Sequence, residues 1–316
     1  MHVLILGGTG FSGQALIRHL NRGSPAPGIT VVSRTTTALP GVKRVLTGHY
    51  ADLIRSVEFA RELSGVDAIV HLADGLSILQ DRKHAADAAR ADRLVVASEQ
   101  LAAAAREARL PLFVYVSSIK ALCDEEDRRV LVEASEPRGT TLYGRSKLRL
   151  EMAITSTLAG SGTRLVIVRN PVTYGAGKAG SLHRLMRLAD TPLPLPLGGL
   201  ANKRSVLAVD NFASALAATV RSGPDSAHGV FHVHDGPALS TTEIVATLRA
   251  AAGRPARLFP VGAAVTDMAR KMGPLAPVAR RLYGSLELSD AHFRQCFRWT
   301  PVVETMAALA EMVRRS

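Results

Sequence analysis

A glycine-rich segment near the start of the chain most constrains its fold. The segment GGTGFSG at residues 7–13 follows a short apolar run, 2–6, and precedes a helical pattern. Glycines between a strand and a helix allow a tight turn, and they let backbone amides approach a pyrophosphate at the positive end of the helix. The segment therefore predicts a strand and helix that bind a nucleotide. The alternative is a glycine-rich turn without a ligand.

Short apolar segments rich in Val, Ile and Leu alternate with longer helical patterns over the first half of the chain. This alternation is typical of a parallel sheet covered by helices on both faces. It predicts an α/β fold with a doubly wound, Rossmann-type sheet. The expected strands are 2–6, 29–33, 44–47, 68–71, 113–117 and 165–168, and helices are expected to begin near residues 11, 51, 85 and 142.

Glycine and proline become more frequent after Val168. Such punctuation indicates that the chain leaves the sheet. We therefore expect a dinucleotide-binding domain over residues 1–169 and a smaller, mainly substrate-binding lobe over 170–316. Strand patterns within 205–233 predict that the chain returns to the sheet there, and 302–315 has the spacing of an amphipathic helix.

The chain has 316 residues and a formal net charge of +12, from 39 basic and 27 acidic residues. Such an excess suits an anionic partner, which could be a phosphorylated small molecule, nucleic acid or an acidic membrane. The basic residues are spread along the chain without interleaved aromatic side chains, so we expect no nucleic-acid partner. No apolar run is long enough to span a bilayer, and the first residues lack a secretory signal, so a cytoplasmic protein without a membrane partner is predicted.

No metal site is expected. The two cysteines are far apart and match no metal-binding or redox spacing. His228, His232, His234 and Asp235 could form a cluster, because His232 and His234 alternate onto one strand face. We interpret them instead as surface imidazoles beside a turn.

The end of the second expected strand bears on the choice of cofactor. In a dinucleotide-binding fold, Asp or Glu at this position binds the ribose 2′-hydroxyl, whereas Arg neutralises a 2′-phosphate. The sequence has Ser33 and Arg34 there, without a neighbouring acid. NADP(H) is therefore favoured, with NAD(H) as the alternative. Arg34 could instead stack on the adenine or be merely solvated.

Tyr143 and Lys147 are four residues apart in a predicted helix, which places a phenol and an ammonium group on one face. The cation stabilises a phenolate, as a general acid/base at a hydroxyl or carbonyl group requires. Ser118 follows the fifth expected strand, at the sheet edge where this fold binds ligands, and can bond the same substrate oxygen. For the pair alone, the alternative is a surface helix with a half-buried tyrosine.

Together these features resemble the extended short-chain dehydrogenase/reductase family, which is named for NAD-dependent epimerases and dehydratases. The resemblance covers nearly the whole chain, including VHLA at 70–73, RSVLAVDN at 204–211 and FRWTP at 297–301. Within the family, residues 118–120 and 193–198 are most similar to nucleotide-sugar 4-epimerases and 4-keto-sugar reductases.

The resemblance implies a role for each matching residue. Tyr143 becomes the acid/base, Lys147 the cation that favours its phenolate and a ribose ligand, and Ser118 the hydroxyl that orients the substrate oxygen. Lys120 is also expected to contact the substrate, and Arg204 to hold its diphosphate, which suits a bidentate guanidinium. Besides Tyr143 and Lys147, the residues implied to contact the cofactor are Gly7, Gly10, Phe11, Ser12, Gly13, Arg34, His49, Leu72, Ala73 and Val172.

The chain departs from the family pattern at three positions. Val172 stands where many members have Asn, His49 replaces the Asp that usually follows Gly48 and contacts adenine, and Leu94 stands where Asn is common. These departures affect which sugar is expected to bind and how the protein contacts the adenine of the cofactor. They leave the three catalytic candidates unchanged.

The same resemblance helps to sort the reaction. Sugar 4,6-dehydratases of this family carry an Asp-Glu pair just after the serine of the fifth strand, whereas this chain has Ile119-Lys120-Ala121 there. Its acids at 124–126 come later and are expected to form a solvated loop. We therefore expect a 4-epimerase acting on a nucleotide sugar, with UDP as the expected nucleotide, in which Tyr143 moves the proton during hydride transfer at C4. The alternatives are an NADPH-dependent 4-keto-sugar reductase and a non-catalytic NADP(H)-sensing regulator.

Two segments bear on assembly. Related enzymes form a dimer through a four-helix bundle of the helices that correspond to 85–109 and 142–160, so the resemblance implies a homodimer. The segment 268–282 is basic and apolar, but Gly273-Pro274 and Pro277 interrupt a helix. We expect this segment to line the substrate lobe or a subunit contact rather than to lie on a membrane.

Overall fold

Seven parallel strands form the central sheet of the protein, shown here by a computed structural model that describes residues 1–73, 85–177, 180–223, 225–274 and 276–316. The strands are β1 (His2–Leu6), β2 (Gly28–Ser33), β3 (Arg44–Thr47), β4 (Ala68–His71), β5 (Leu112–Val116), β6 (Val130–Leu131), β7 (Arg164–Arg169), β8 (Val172–Tyr174), β9 (Leu195–Gly198), β10 (Val206–Ala208), β11 (Gly229–His232), β12 (Leu258–Pro260) and β13 (Glu287–Leu288). The order across the central sheet is β11-β7-β5-β4-β1-β2-β3.

Helices lie between or after these strands, and only some of them cover the central sheet. They are α1 (Phe11–Asn21), α2 (Tyr50–Leu53), α3 (Val57–Leu63), α4 (Ala85–Glu107), α5 (Leu142–Leu158), α6 (Ser181–Ala189), α7 (Val209–Arg221), α8 (Thr241–Ala251), α9 (Ala263–Lys271), α10 (Ala276–Tyr283), α11 (Ala291–Phe297) and α12 (Thr305–Arg314). A short 3₁₀ turn covers Ile119–Ala121.

Two hydrophobic layers enclose the sheet. In β1, Val3 and Ile5 belong to a cluster with α1 and α7, whereas Leu4 and Leu6 belong to a cluster with α4 and α5. All four side chains are fully buried. Because successive side chains of a strand point to opposite faces, a continuous apolar run is what a strand covered on both faces requires. The predicted doubly wound α/β fold is confirmed.

Each strand predicted for the first half of the chain lies within one residue of an observed strand. Of the two later strand patterns, β11 joins the central sheet beside β7. β10 instead pairs with β8 in a separate two-stranded sheet. With α6, α8 and α12, these two strands enclose a third hydrophobic cluster, which includes Tyr174, Leu248 and Leu309. The division into two domains near residue 169 stays a prediction.

The segment 268–282 is interrupted only once within its described residues. α9 ends at Lys271, before Gly273-Pro274, as expected. The expected interruption at Pro277 is wrong, because Pro277 lies in the first turn of α10, where a proline removes no helical hydrogen bond. Within the described ranges, no helix is long and apolar enough to cross a membrane.

Candidate active site

The glycine loop lies between β1 and α1, at the carboxyl edge of the central sheet. The strand order reverses between β4 and β1, and in this class of sheet ligands bind at such a point. Gly7 has a φ of +84°, and a Cβ atom there would lie 3.1 Å from the Cβ of Ala73, just after β4. A Cβ on Gly13 would lie 2.6 Å from the Cα of Gly8. Only glycine allows these close backbone approaches.

The first turn of α1 is suited to an anion. Gly10 is its N-cap residue and has no side chain to bond the first amides of the helix. Phe11 and Ser12, both partly exposed, begin the helix. Backbone amides and the positive end of the helix dipole therefore lie at the loop, where the pyrophosphate of a dinucleotide would bind. These residues fit such a cofactor.

Three further residues that were expected to bind the cofactor follow strands of the same sheet. The N–H of Leu72 donates to the carbonyl of Leu6 at 3.0 Å, which holds the end of β4 beside the loop. Arg34 comes directly after β2 and is exposed. His49 is exposed as well, and its Nδ1 caps α2 by accepting a hydrogen bond from the N–H of Ala51 at 3.3 Å.

Helix α5 carries Tyr143 and Lys147 on one face, as their spacing predicted. Lys147 is buried, and its Nζ donates to the carbonyl oxygen of Val116, at the end of β5, at 2.8 Å. The same Nζ lies 6.0 Å from the centroid of the Tyr143 ring. The ammonium group thus connects the helix to the strand and places a positive charge near the phenol.

The residues after β5 approach the same tyrosine. The N–H of Lys120 donates to Oγ of Ser118 at 3.3 Å, so this hydroxyl begins the 3₁₀ turn. The Nζ of Lys120 lies 6.0 Å from the centroid of the Tyr143 ring. The structure therefore brings Ser118, Lys120, Tyr143 and Lys147 together at the carboxyl end of β5. A partly exposed phenol with two ammonium groups near its ring can exchange a proton with a bound hydroxyl or carbonyl group.

Asp124 fixes the start of α5. Its carboxylate accepts hydrogen bonds from the N–H and hydroxyl of Thr140, at 2.6 and 3.0 Å, and from the N–H and hydroxyl of Thr141, at 3.2 and 2.5 Å. Thr141 is the N-cap residue of the helix. Burial alone would raise the pKa of the Asp124 carboxyl, but these hydrogen bonds outweigh it and hold the pKa below its usual value.

The expectation that the acids at 124–126 form a solvated loop is wrong. Asp124 is engaged as described, and Glu125 is buried. Its carboxylate accepts from Arg280 and Arg281, at 2.9 Å each. A buried carboxylate needs such charged donors, and they come from residues more than 150 positions away in the sequence.

Arg204 lies between β9 and β10, and its Nη1 donates to the carbonyls of Glu125 and Gly284, at 2.8 and 3.3 Å. Burial lowers the pKa of its guanidinium to about 10, so the group stays positively charged at neutral pH. Its contact with a diphosphate stays a prediction. Val172 begins β8, is partly buried and pairs in register with Val206 of β10.

Of the four residues interpreted as surface groups beside a turn, His228 is exposed as expected, but the expectation is wrong for the other three. His232 is 0% exposed, and both His234 and Asp235 are buried. Asp235 accepts hydrogen bonds from the hydroxyl of Tyr174 at 2.8 Å and from the amide of Asn211 at 2.8 Å. The chain stays buried from Phe231 to Asp235, beyond the end of β11, and the local sequence pattern did not indicate this burial. In the part of the chain that the structure describes, no three His, Cys, Asp or Glu residues form a group that could hold a metal ion.

Sequence reasoning missed one group beside the site. Glu151 lies on α5, four residues after Lys147, and forms a buried ion pair with Arg169 at the end of β7. Ser117, which precedes Ser118, donates to the same carboxylate. The spacing of a glutamate one turn beyond Lys147 could have indicated it, since it places both side chains on one face.

The model of the NAD dependent epimerase/dehydratase family matches residues 3–232. The UDP-glucose 4-epimerase of Vibrio cholerae is 27% identical over 307 residues, which cover 95% of this chain and 90% of that protein. The UDP-glucuronic acid 4-epimerase of Bacillus cereus, solved in complex with NAD, has a TM-score of 0.74 at 17% identity over 100% of this chain and 98% of that one.

A human epimerase family protein, solved with NADPH, has a TM-score of 0.72 at 22% identity over 100% of both chains. At these identities the two solved structures show a shared fold. The match to the family model covers well over half of the chain, in the same segments that carry the glycine loop and the candidate catalytic residues. The chain belongs to the NAD dependent epimerase/dehydratase family and is an enzyme of the short-chain dehydrogenase/reductase type.

Proposed function

We propose that the protein is a nucleotide-sugar 4-epimerase that acts on a UDP-sugar with a nicotinamide dinucleotide. The observation that carries the proposal is the convergence of Ser118, Lys120, Tyr143 and Lys147 at the end of β5. This constellation suits proton exchange at a secondary hydroxyl. The similarity to a UDP-glucose 4-epimerase over 95% of this chain supports the substrate class.

The side chains divide the work at C4 of the sugar. When bound, a nicotinamide dinucleotide supplies reversible hydride exchange with a ring carbon. Tyr143 accepts the proton of the C4 hydroxyl during oxidation and returns it to the oxygen during reduction. Ser118 donates a hydrogen bond to that oxygen, and the charges of Lys120 and Lys147 stabilise the phenolate that exists before oxidation and is restored by reduction. Inversion at C4 requires the keto-sugar to turn its other face before reduction.

Arg34 favours NADP(H) over NAD(H). Its exposed guanidinium follows β2, beside the strand that leads into the glycine loop, and the sequence has no acid from residue 34 to residue 51. A guanidinium there would bind a ribose 2′-phosphate. Similar folds have been solved with NAD and with NADPH, so both cofactors suit the architecture.

A second candidate function is NADPH-dependent reduction of a 4-keto-sugar. The exposed Arg34 favours it, because a reductase consumes NADPH whereas an epimerase returns the hydride and keeps its cofactor. Both reactions use the same proton transfer by Tyr143. They differ in whether the cofactor remains bound between turnovers.

The released cofactor distinguishes these functions. The purified protein is denatured, the released nucleotide is identified by mass, and UDP-glucose is supplied to the native protein while UDP-galactose is followed by chromatography. A retained dinucleotide with interconversion of the two sugars supports the epimerase. An empty protein that oxidises added NADPH with a 4-keto-sugar supports the reductase. A protein that binds the cofactor but converts neither the UDP-sugar nor the 4-keto-sugar is a sensor, and the proposal is then wrong.

We also propose a homodimer through α4 and α5. The two helices pack against one another on one side of the central sheet. Each exposes an apolar side chain, Val96 at 52% and Met152 at 64%. A second copy of the pair would cover these side chains and complete a four-helix bundle.

A further inference from the structure

A buried ionic network lies beside the candidate catalytic residues. Glu151 and Arg169 are 4% and 6% exposed. Arg169 Nε donates to both carboxylate oxygens of Glu151, at 2.9 and 3.1 Å, and its Nη2 donates to Oε2 at 2.5 Å. The hydroxyl of Ser117 donates to Oε1. The carboxylate therefore has a full set of strong donors, which a buried charge requires.

Each member of the network belongs to a different element of the site. Glu151 is one turn beyond Lys147 and two turns beyond Tyr143, on the same side of α5. Ser117 lies between β5 and Ser118, and its N–H donates to the carbonyl of Val168 in β7 at 2.8 Å. Arg169 is the last residue of β7. The network thus joins the helix that carries the acid/base to the two strands beneath it.

A contribution to the stability of the fold is a weak explanation for this buried ionic network. Replacing a buried ion pair by apolar side chains of similar volume is often neutral or stabilising, because both charges must be desolvated. Apolar contacts from Leu150, Ile154 and Leu158 already hold α5 against the sheet. Those contacts are non-directional, however, and they tolerate a small slide or rotation of the helix. A bidentate guanidinium and carboxylate allow one relative position.

We propose that Glu151 is a positioning residue for catalysis. Through Arg169 and Ser117 it fixes the axial position and rotation of α5 on β5, so that Tyr143 and Lys147 meet Ser118 at one substrate oxygen. The inference rests on the proposed function of the site. Glu151 sets the relative position of Tyr143, Lys147 and Ser118 without touching the substrate or the cofactor.

The expected kinetic signature is a split between kcat and KM. A displacement of about 1 Å at a catalytic group lowers the rate by roughly 100-fold. We therefore expect Glu151→Gln to lower kcat by roughly 10-fold to 100-fold, with little change in KM for the sugar. The nucleotide part of the substrate is expected to bind elsewhere, at Arg204, which the network does not touch.

A double variant separates positioning from stability. Glu151→Met combined with Arg169→Met removes both charges together and leaves no unpaired buried charge, although the neutral Ser117 hydroxyl loses its acceptor, so the fold is expected to persist. If the directional bonds position α5, kcat stays low in this variant. Wild-type kcat in a folded double variant overturns the proposal.

Asp290→Asn is the matched control. Asp290 is 5% exposed, lies 3.2 Å from Nε2 of the buried His234 and accepts a hydrogen bond from the partly exposed Arg294 at 2.8 Å, so its loss disturbs a buried polar pair with no contact to α5 or β5 among its hydrogen bonds. We expect a similar fall in thermal stability and kcat within about twofold of wild type, since only directional contacts at the site should affect the rate. A control that loses as much kcat as Glu151→Gln shows that general destabilisation explains both, and overturns the proposal.

Cofactor affinity tests the inference even if no sugar is converted. Lys147 is expected to bind the ribose, so a displaced α5 should weaken binding of NADPH and NADH in a fluorescence titration, by roughly tenfold in the double variant. If wild-type protein converts no UDP-sugar but the variants bind cofactor weakly, the proposed function fails and the positioning role stands. Unchanged affinity together with unchanged kcat overturns the positioning role.

Discussion

Lys147 shows how one side chain can be fixed before any ligand binds. An ammonium group in the interior is costly unless it is hydrogen-bonded. Lys147 donates to the carbonyl of Val116 at 2.8 Å and lies 5.1 Å from the centroid of the Tyr115 ring, a favourable position for a cation over an aromatic face. These contacts hold the charge beside Tyr143, so the site needs little rearrangement when substrate arrives.

Tyr143→Phe tests the acid/base at the scale of a single atom. The change removes the phenolic oxygen and leaves the ring, so folding and cofactor binding should persist. Loss of a general acid/base typically lowers the rate by roughly 10²-fold to 10⁴-fold. We expect at least this loss in kcat for sugar interconversion, measured by chromatography, with an unchanged melting temperature. A variant with wild-type turnover would exclude Tyr143 as the proton carrier.

Arg34→Ala tests the choice of cofactor. If Arg34 binds a 2′-phosphate, its loss should weaken NADPH binding by roughly tenfold, the value of one charge-assisted hydrogen bond, and leave NADH binding unchanged. Fluorescence titration with the two cofactors gives both affinities. Arg18→Ala is the control, because Arg18 is also exposed but lies on the outer part of α1. Equal loss for both cofactors would assign Arg34 to adenine stacking instead.

At the scale of elements, α5 is the part of the fold that assembles the site. Its helical pattern and the spacing of Tyr143 and Lys147 are visible in the sequence. The side chains that fix the position of α5 cannot be identified from the sequence. Asp124 is 17 positions from Thr141, and Glu151 is 18 positions from Arg169, with no periodic pattern to connect either pair. Such contacts depend on how strands and helices meet.

Asp124→Asn tests the attachment of the start of α5. A neutral amide replaces a carboxylate that accepts charge-assisted bonds, and one of its two oxygens becomes a donor. We expect the free energy of unfolding at pH 7 to fall by about 1–2 kcal/mol. Because the folded pKa of Asp124 is held below its usual value, this stabilisation is fully present above the unfolded pKa and is lost as pH falls through the folded pKa.

Urea denaturation at several pH values checks this prediction. The difference between wild type and Asp124→Asn should be constant above about pH 5 and should shrink below about pH 4, near the unfolded pKa of an aspartate. Asp190→Asn is the control, since its exposed ion pair with Arg254 should contribute little. A difference that grows on acidification would contradict the assigned sign.

At the scale of the whole molecule, the central sheet was predictable and the second half of the chain was less so. Continuous apolar runs identify strands covered on both faces, and the glycine loop locates the ligand edge. After residue 170 the strands are two to four residues long, and their pairing depends on partners far away in the sequence, as when β10 joins β8. His232 and Glu125 are buried by such long-range packing. Because both residues are polar, the local sequence predicted that they would be exposed.

The assembly of two molecules is the largest-scale prediction. If Met152 lies in a four-helix interface, Met152→Arg places a charge there, and its desolvation opposes association. We expect light scattering at micromolar concentration to give twice the 33.6 kDa chain mass for wild type and a smaller mass for the variant. Met268→Arg is the control, because Met268 is 57% exposed on α9, away from α4 and α5. A wild-type monomer would exclude the dimer. A dimer broken by the α9 change instead would assign the interface to that helix.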